Sequence, residues 1–188
     1  KPSPEQLADV DIVIYDIQDI GARFFTYIST MYLLMESCAE NNKPLLILDR
    51  PNPNGDYIDG PVLNMQLKSF IGMLPVPIVH GLTVGELAQM INGEYWLKDS
   101  LQCTFTVIPV ANYTHNTEYD LPVKPSPNMP NMQAIRLYPS LALFEGTNVS
   151  VGRGTYFPFQ VIGSPFTTDT SYSFTPISID GMSKDPMH

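Results

Sequence analysis

The stretch that decides the fold is "VDIVIYDIQDIGARFFTYISTMYLLMESCAENNKPLLILD", residues 10–49. Its first eight residues are mostly apolar and β-branched, which is typical of a strand buried on both faces. Between 25 and 41, apolar side chains recur every three or four positions, as in a helix with one core-facing stripe. Pro44 prevents that helix from continuing, and "LLILD" at 45–49 predicts a second buried strand.

This strand–helix–strand order predicts a βαβ unit with parallel strands and a right-handed crossover. Each strand ends in an acidic residue, Asp16 after the first and Asp49 after the second. Parallel strands place their carboxyl ends on one edge of the sheet, where open α/β sheets bind ligands. The side chains that we expect to meet at this edge are Asp16, Gln18, Asp19, Asp49 and Arg50.

Some of these polar residues have plain structural alternatives. Asp19 can pair with Arg23, and Asp49 can fix the turn that follows it. Thr83 and Glu86 have the spacing of a capping box, which favours helix capping as the role of that glutamate.

The remaining elements follow from shorter patterns. "VPIVHG" at 76–81 predicts a third short strand, residues 83–96 a helix, and "CTFTVIPV" at 103–110 a fourth strand. "LPVKPSPNMPNM" at 121–132 predicts a proline-pinned loop, and the segment 135–155 a short helix that ends near Glu145-Gly146. The fold class predicted is α/β, with Rossmann-like βαβ units and a mostly parallel sheet.

Composition excludes several classes of function. The chain has 188 residues, 44% of them hydrophobic, and a net charge of −9. Nucleic acid and anionic membrane surfaces would repel such a protein. No apolar run approaches the roughly 20 residues that a membrane-spanning helix needs. The 2 cysteines do not make a disulfide framework.

Common cofactor and nucleophile motifs are also missing from the sequence. The 3 histidines are far apart and lack a metal-binding spacing. "DIQDIGARF" has one glycine where a dinucleotide fingerprint needs three, and no P-loop or G-x-S-x-G elbow occurs. We therefore predict no metal and no cofactor.

Carboxylate chemistry remains, and the residue types fit a sugar site. Acids, amides, arginines and aromatic faces are what such sites use, and the chain has 10 tyrosines and 9 phenylalanines. Cleavage of a glycosidic bond needs two carboxyl groups that flank it. The candidate acids are Asp16, Asp19, Asp49 and Glu145. The candidate sugar-binding side chains are Gln18, Arg50, Asn52, Asn128, Asn148 and Arg153.

Seven ordered motifs resemble the exo-β-N-acetylmuramidase family, long catalogued as a domain of unknown function. They are "DIVIYDIQDIGARFFTYISTM", "LLILDRPNPNG", "IDGPVL", "VPIVHGLTVGELAQMIN", "PSPNMP", "YPSLALFEGTNVSVGRGT" and "PFQVIGSPF". The resemblance runs from Lys1 to about Phe166, and "SFTP" at 173–176 still fits it.

The resemblance implies a glycoside hydrolase that releases N-acetylmuramic acid from the non-reducing ends of peptidoglycan fragments. It implies a muropeptide substrate, an extracytoplasmic (periplasmic or secreted) location, and a cleft between two domains as the active site. We expect residues 1–165 to form part of the Rossmann-like domain and residues 166–188 to begin a smaller C-terminal domain. The alternative is a non-enzymatic module that binds cell-wall glycan.

One motif of the family does not occur in these residues. It is Gly-Pro-Glu-His-Gly, whose glutamate is the family's proposed catalytic residue. We therefore expect an interior piece of a longer protein, with a sheet incomplete at its N-terminal side and little turnover of its own.

The matching motifs carry over the rest of the pocket. Asp19 and Glu145 are the expected catalytic partners of that glutamate. Arg50, and after it Arg153, are the expected partners of the lactyl carboxylate, since arginine binds carboxylates bidentately. The other residues expected to bind substrate are Asp16, Gln18, Arg23, Asp49, Asn52, Ser126, Asn128, Thr147 and Asn148.

Overall fold

A computed structural model describes residues 1–168 and 171–180. The chain divides into two compact units, Lys1–Tyr119 and Asp120–His188. The predicted boundary at 165/166 lies inside the second unit and stays a prediction. Of the segment 166–188, residues 169–170 and 181–188 lie outside the described residues.

The first unit is built on a parallel sheet. The elements, in chain order, are α1 (Pro4–Leu7), β1 (Val13–Tyr15), α2 (Tyr27–Glu40), β2 (Leu45–Leu48), α3 (Val84–Gly93) and β3 (Phe105–Ile108). Within the described residues the strand order is β1-β2-β3, and both pairings are parallel. The α/β class and the parallel βαβ unit are therefore confirmed. The predicted helices at 25–41 and 83–96 correspond to α2 and α3, and the predicted strand at 103–110 to β3.

The core lies on one face of this sheet. Tyr15, Leu45 and Ile47 are buried there together with the apolar stripes of α2 and α3. On the opposite face, Ile14 is 56% exposed and Ile108 is 49% exposed. The prediction that the first strand is buried on both faces is wrong within this unit. Both α2 and α3 pack on the face that carries Tyr15, so the face that carries Ile14 is left exposed.

The segment 76–81 does not form the predicted strand. Its backbone makes isolated antiparallel bridges from Val79 to Ala22 and from Val79 to Asp59. Pro75 and Pro77 have no N–H to donate to a ladder, which limits the pairing of this segment. The bridges still hold the segment beside the loop that follows β1.

In the second unit, α4 (Met132–Leu141) continues into a 3₁₀ helix, Ala142–Gly146. The predicted end near Glu145-Gly146 is confirmed, and the start lies a few residues earlier than predicted. Asn131 begins α4 by accepting a hydrogen bond from the backbone N–H of Ala134. Two further 3₁₀ turns lie in the first unit, at Met65–Leu67 and Lys98–Ser100.

Candidate functional site

The loops that follow β1 and β2 are joined at the carboxyl edge of the sheet. Arg50 binds Asp16 Oδ1 through Nε at 2.7 Å and Nη2 at 2.6 Å. Gln18 Nε2 donates to the carbonyl oxygens of Asp19 and Pro51. The structure thus brings together residues from both loops, as the edge argument predicts.

Asp49 belongs to the same edge, but its carboxylate binds the start of α3. Thr83 Oγ1 donates to Asp49 Oδ2 at 2.8 Å, and the backbone N–H of Gly85 donates to Oδ1 at 2.8 Å. The backbone N–H of Arg50 also donates to Oδ1, which fits the turn-fixing alternative. Thr83 and Glu86 form the predicted capping box. Asp49 therefore stabilises the α3 N-terminus, where negative charge is favourable.

Asn52 is buried and contacts three segments: its own loop, the segment at Leu82 and the loop at Gly21. Its Nδ2 donates to the carbonyl of Leu82 at 2.9 Å, and its Oδ1 accepts from the backbone N–H of Asn54. Gly21 passes so close that a Cβ there would lie 2.3 Å from Asn52 Oδ1, and its φ is +76°. Only glycine fits this position without moving Asn52.

Arg23 donates the hydrogen bonds of its Nη1 to backbone carbonyls and not to Asp19. That nitrogen donates to the carbonyls of Pro61 at 2.8 Å and Val76 at 2.6 Å. The side chain is buried, and burial lowers the pKa of the guanidinium. Arg23 therefore holds the 61–76 segment against the loop after β1, rather than pairing with Asp19 as the alternative supposed.

Asp19 is 4% exposed, and its two carboxylate oxygens differ. Oδ2 accepts from the backbone N–H of Gly21 at 2.7 Å and lies 3.5 Å from His80 Nε2. Oδ1 is buried and has no hydrogen-bond partner among the described residues. His80 was not among the predicted site residues, because a lone histidine without a motif gives no signal until the fold places it.

In the second unit, Ser126 and Asn128 lie in one turn. Ser126 Oγ accepts from the backbone N–H of Asn128 at 3.4 Å. Asn128 Oδ1 is buried and has no hydrogen-bond partner in the part of the chain that the structure describes. The amide oxygen of Asn128 can therefore accept a hydrogen bond from a further donor.

Glu145 and Arg153 lie together in the second unit. Arg153 Nε is 3.2 Å from Glu145 Oε1. The side chain of Arg153 is 29% exposed and that of Glu145 is 32% exposed. Burial raises the pKa of the Glu145 carboxyl, while the arginine charge acts in the opposite direction. The guanidinium also stacks over the Phe159 ring at 5.6 Å. A partly buried carboxyl held by an arginine fits acid–base chemistry.

Thr147 and Asn148 follow the 3₁₀ helix. Thr147 Oγ1 donates to the Phe144 carbonyl at 2.7 Å and accepts from the backbone N–H of Val149, so its hydroxyl stabilises the turn. Asn148 lines a cavity of about 940 Å³ together with Tyr172 and Phe174.

Two further observations concern the kind of site. Within residues 1–168 and 171–180, no group of three or more His, Cys, Asp or Glu side chains is arranged to hold a metal ion. In the same ranges, no helix has the length and apolar character that crossing a bilayer requires. The fold and the site define an α/β protein with carboxylates and amides clustered at the carboxyl edge of a parallel sheet.

The chain belongs to the exo-β-N-acetylmuramidase NamZ family. The N-terminal model of that family matches residues 1–133, and its C-terminal model matches residues 136–188. The chain is 46% identical over 180 residues to the peptidoglycan β-N-acetylmuramidase NamZ of Bacillus subtilis, covering 93% of this chain and 42% of that protein.

Two solved structures from Bacteroides fragilis, both of the DUF1343 family, have the same fold. One is 59% identical with a TM-score of 0.94 over 99% of this chain and 53% of the other. The second is 41% identical with a TM-score of 0.83 over 89% of this chain and 44% of the other. The chain thus spans about half the length of the relatives that it matches.

Proposed function

We propose that the protein containing these residues is a glycoside hydrolase that releases N-acetylmuramic acid from the non-reducing ends of peptidoglycan fragments. The observation that carries the proposal is the 46% identity to a peptidoglycan β-N-acetylmuramidase. A muropeptide or a similar fragment is the proposed substrate. The proposed location is extracytoplasmic, where peptidoglycan lies.

We assign the chemistry of these residues to two carboxyl groups. Asp19 offers a buried Oδ1 that no other described group occupies, which suits a bond to a sugar hydroxyl or to a charge that develops during cleavage. Burial raises the pKa of Glu145, which supports a role as proton donor, since a general acid must hold its proton near neutral pH.

The lactyl carboxylate of muramic acid needs a cationic partner. Arg50 is the first candidate, because its side chain is 41% exposed and already binds a carboxylate, that of Asp16. Arg153 is the second candidate, although it lies against Glu145. The remaining proposed substrate-binding residues are Asp16, Gln18, Arg23, Asp49, Asn52, Ser126, Asn128, Thr147 and Asn148. Of these, Arg23, Asp49 and Asn52 would act by shaping the loops that they hold.

We also propose that turnover needs residues outside this chain. The Gly-Pro-Glu-His-Gly motif of the resemblance does not occur in the 188 residues. A glycosidase that lacks a catalytic carboxyl group, here the glutamate of that motif, retains binding and loses most of its chemistry.

The test is hydrolysis of a chromogenic N-acetylmuramide by the complete protein, by Asp19→Asn and Glu145→Gln variants, and by residues 1–188 alone. Each variant should lose about 10²-fold or more in kcat, the scale of acid–base catalysis. Full activity in the double variant would remove both residues from catalysis. Calorimetry with a muropeptide separates the alternative, because a glycan-binding module saturates with the ligand and leaves it intact.

A further inference from the structure

We propose that His80 is a positioning residue for the Asp19 carboxylate, which it orients through its Nε2–H so that Oδ1 points to the substrate. The inference rests on the proposed function and adds a residue to it. Oδ1 would accept a hydrogen bond from a hydroxyl or amide group of an N-acetylated sugar.

The backbone fixes the tautomer of His80. The backbone N–H of Leu82 donates to His80 Nδ1 at 3.2 Å. A backbone amide can only donate, so Nδ1 must be the acceptor and the proton of the neutral ring must lie on Nε2. Nε2 is the nitrogen that faces Asp19.

The contact between the two side chains is buried and incomplete. Nε2 lies 3.5 Å from Asp19 Oδ2, and the side chains of His80 and Asp19 are 1% and 5% exposed. That distance is too long for a full hydrogen bond. Buried polar atoms without partners are costly and rare, and in free enzymes catalytic hydrogen bonds are often long and shorten when substrate binds.

The chain path makes this pairing specific. His80 N–H donates to the Gly21 carbonyl at 3.3 Å, and Arg23 N–H donates to the Ile78 carbonyl at 2.8 Å. These bonds lock the 78–80 segment against the loop that carries Asp19. The Gly21 amide donates to Oδ2, so Oδ1 is the carboxylate oxygen that has no partner among the described residues.

The neighbouring cation does not replace His80 in this role. Arg23 is in the same loop, but its Nη1 is bound to two carbonyls. A fixed N–H donor beside a buried carboxylate holds that carboxylate in one orientation.

Two substitutions separate positioning from loop structure. His80→Asn can keep an acceptor near Nδ1 for the Leu82 amide but has no donor near Nε2. His80→Gln can place an amide donor near Nε2. Both variants are compared in the complete protein, with kcat and KM for the chromogenic N-acetylmuramide and with urea unfolding.

We expect His80→Asn to lower kcat by about tenfold or more with an unfolding midpoint close to the parent, and His80→Gln to recover most of that loss. Equal activity of the two variants, or losses that follow the unfolding midpoint, would overturn the inference.

A second measurement keeps this inference separate from the proposed function. The ¹⁵N shifts of the His80 ring report the tautomer directly, with or without turnover. We expect the Nε2–H form in the parent and a changed Nε2 signal in Asp19→Asn. An Nδ1–H ring, or a signal indifferent to Asp19, overturns the pairing even in an active enzyme. An inactive parent protein with the expected signals refutes the hydrolase and retains the pairing.

Discussion

Asp49 and Asp19 both follow parallel strands at the same edge of the sheet, yet their surroundings differ. Both oxygens of Asp49 are bonded, by the Thr83 hydroxyl and by backbone amides that include the first turn of α3. Asp19 has one oxygen bonded to Gly21 and one without a described partner. Topology brings acids to an edge, and the hydrogen bonds made there decide which carboxylate keeps an oxygen without a partner among the described residues.

The sharpest test of this contrast exchanges each carboxylate for its amide. Asp19→Asn should lower the activity of the complete protein by about 10²- to 10⁴-fold, because the charge at Oδ1 is lost. Asp49→Asn should leave activity within about tenfold and destabilise the fold by about 1 kcal/mol, because a helix cap is weakened. Initial rates and urea unfolding of both variants provide the comparison. Similar activity losses in the two variants would contradict the contrast between Asp19 and Asp49.

Arg23 supplies the next largest effect, and it is structural. Arg23→Met should lower the free energy of unfolding by about 3 kcal/mol, because the carbonyls of Pro61 and Val76 lose a charged donor. Arg50→Met is the matched control, since its ion pair with Asp16 is exposed and contributes less than about 1 kcal/mol. Chemical denaturation measures both. An equal loss would mean that the loop after β1 does not depend on the buried arginine.

The cap on α3 is expected to matter less. Asp49 is not the N-cap residue itself, but it binds the N-cap Thr83 and the Gly85 amide, so Asp49→Ala should cost about 2 kcal/mol at most, the upper end for loss of an N-cap. Asp11→Ala, an exposed aspartate, should change stability by less than about 0.5 kcal/mol.

Thiol labelling localises the effect of that cap. Asn92 near the end of α3 binds the backbone N–H of Cys103, and burial, with a smaller contribution from Cys38, raises the pKa of Cys103 to about 12. The native thiol should therefore react only on opening of the structure. Loss of 2 kcal/mol corresponds to labelling about thirtyfold faster in Asp49→Ala. An unchanged rate would show that the cap does not control this end of the helix.

Much of the first unit could be predicted because its signals are local. The apolar periods give β1, α2 and β2, and the Thr83–Glu86 spacing gives the start of α3. The segment 76–81 could not be predicted correctly, because a β-branched run does not reveal whether a partner strand lies beside it. His80 was missed for the same reason, since its contact with Asp19 depends on bridges between distant segments.

The roles of the acids were harder to predict than their positions. The edge rule places Asp16 and Asp49 correctly, but the sequence does not reveal that Thr83 and Gly85 would occupy the carboxylate of Asp49. Arg23 illustrates the same limit, because the sequence does not indicate which backbone carbonyls a buried arginine will bind. Charge pairs are visible in a sequence, whereas bonds to backbone depend on the finished fold.

The smallest effect extends the contrast to Glu145 in the second unit. A carboxyl whose pKa is raised by folding binds more protons in the folded state, so its contribution to stability is present below the unfolded pKa and is lost as pH rises through the folded pKa. Glu145→Gln should therefore gain stability relative to the parent between about pH 4 and pH 7, by under about 1 kcal/mol because the group is partly solvated. Unfolding at both pH values, with the exposed Glu118→Gln as control, measures the gain. A variant that instead loses stability as pH rises would show that the attraction of Arg153 outweighs burial, and Glu145 would then resemble the paired Asp16 rather than a proton donor.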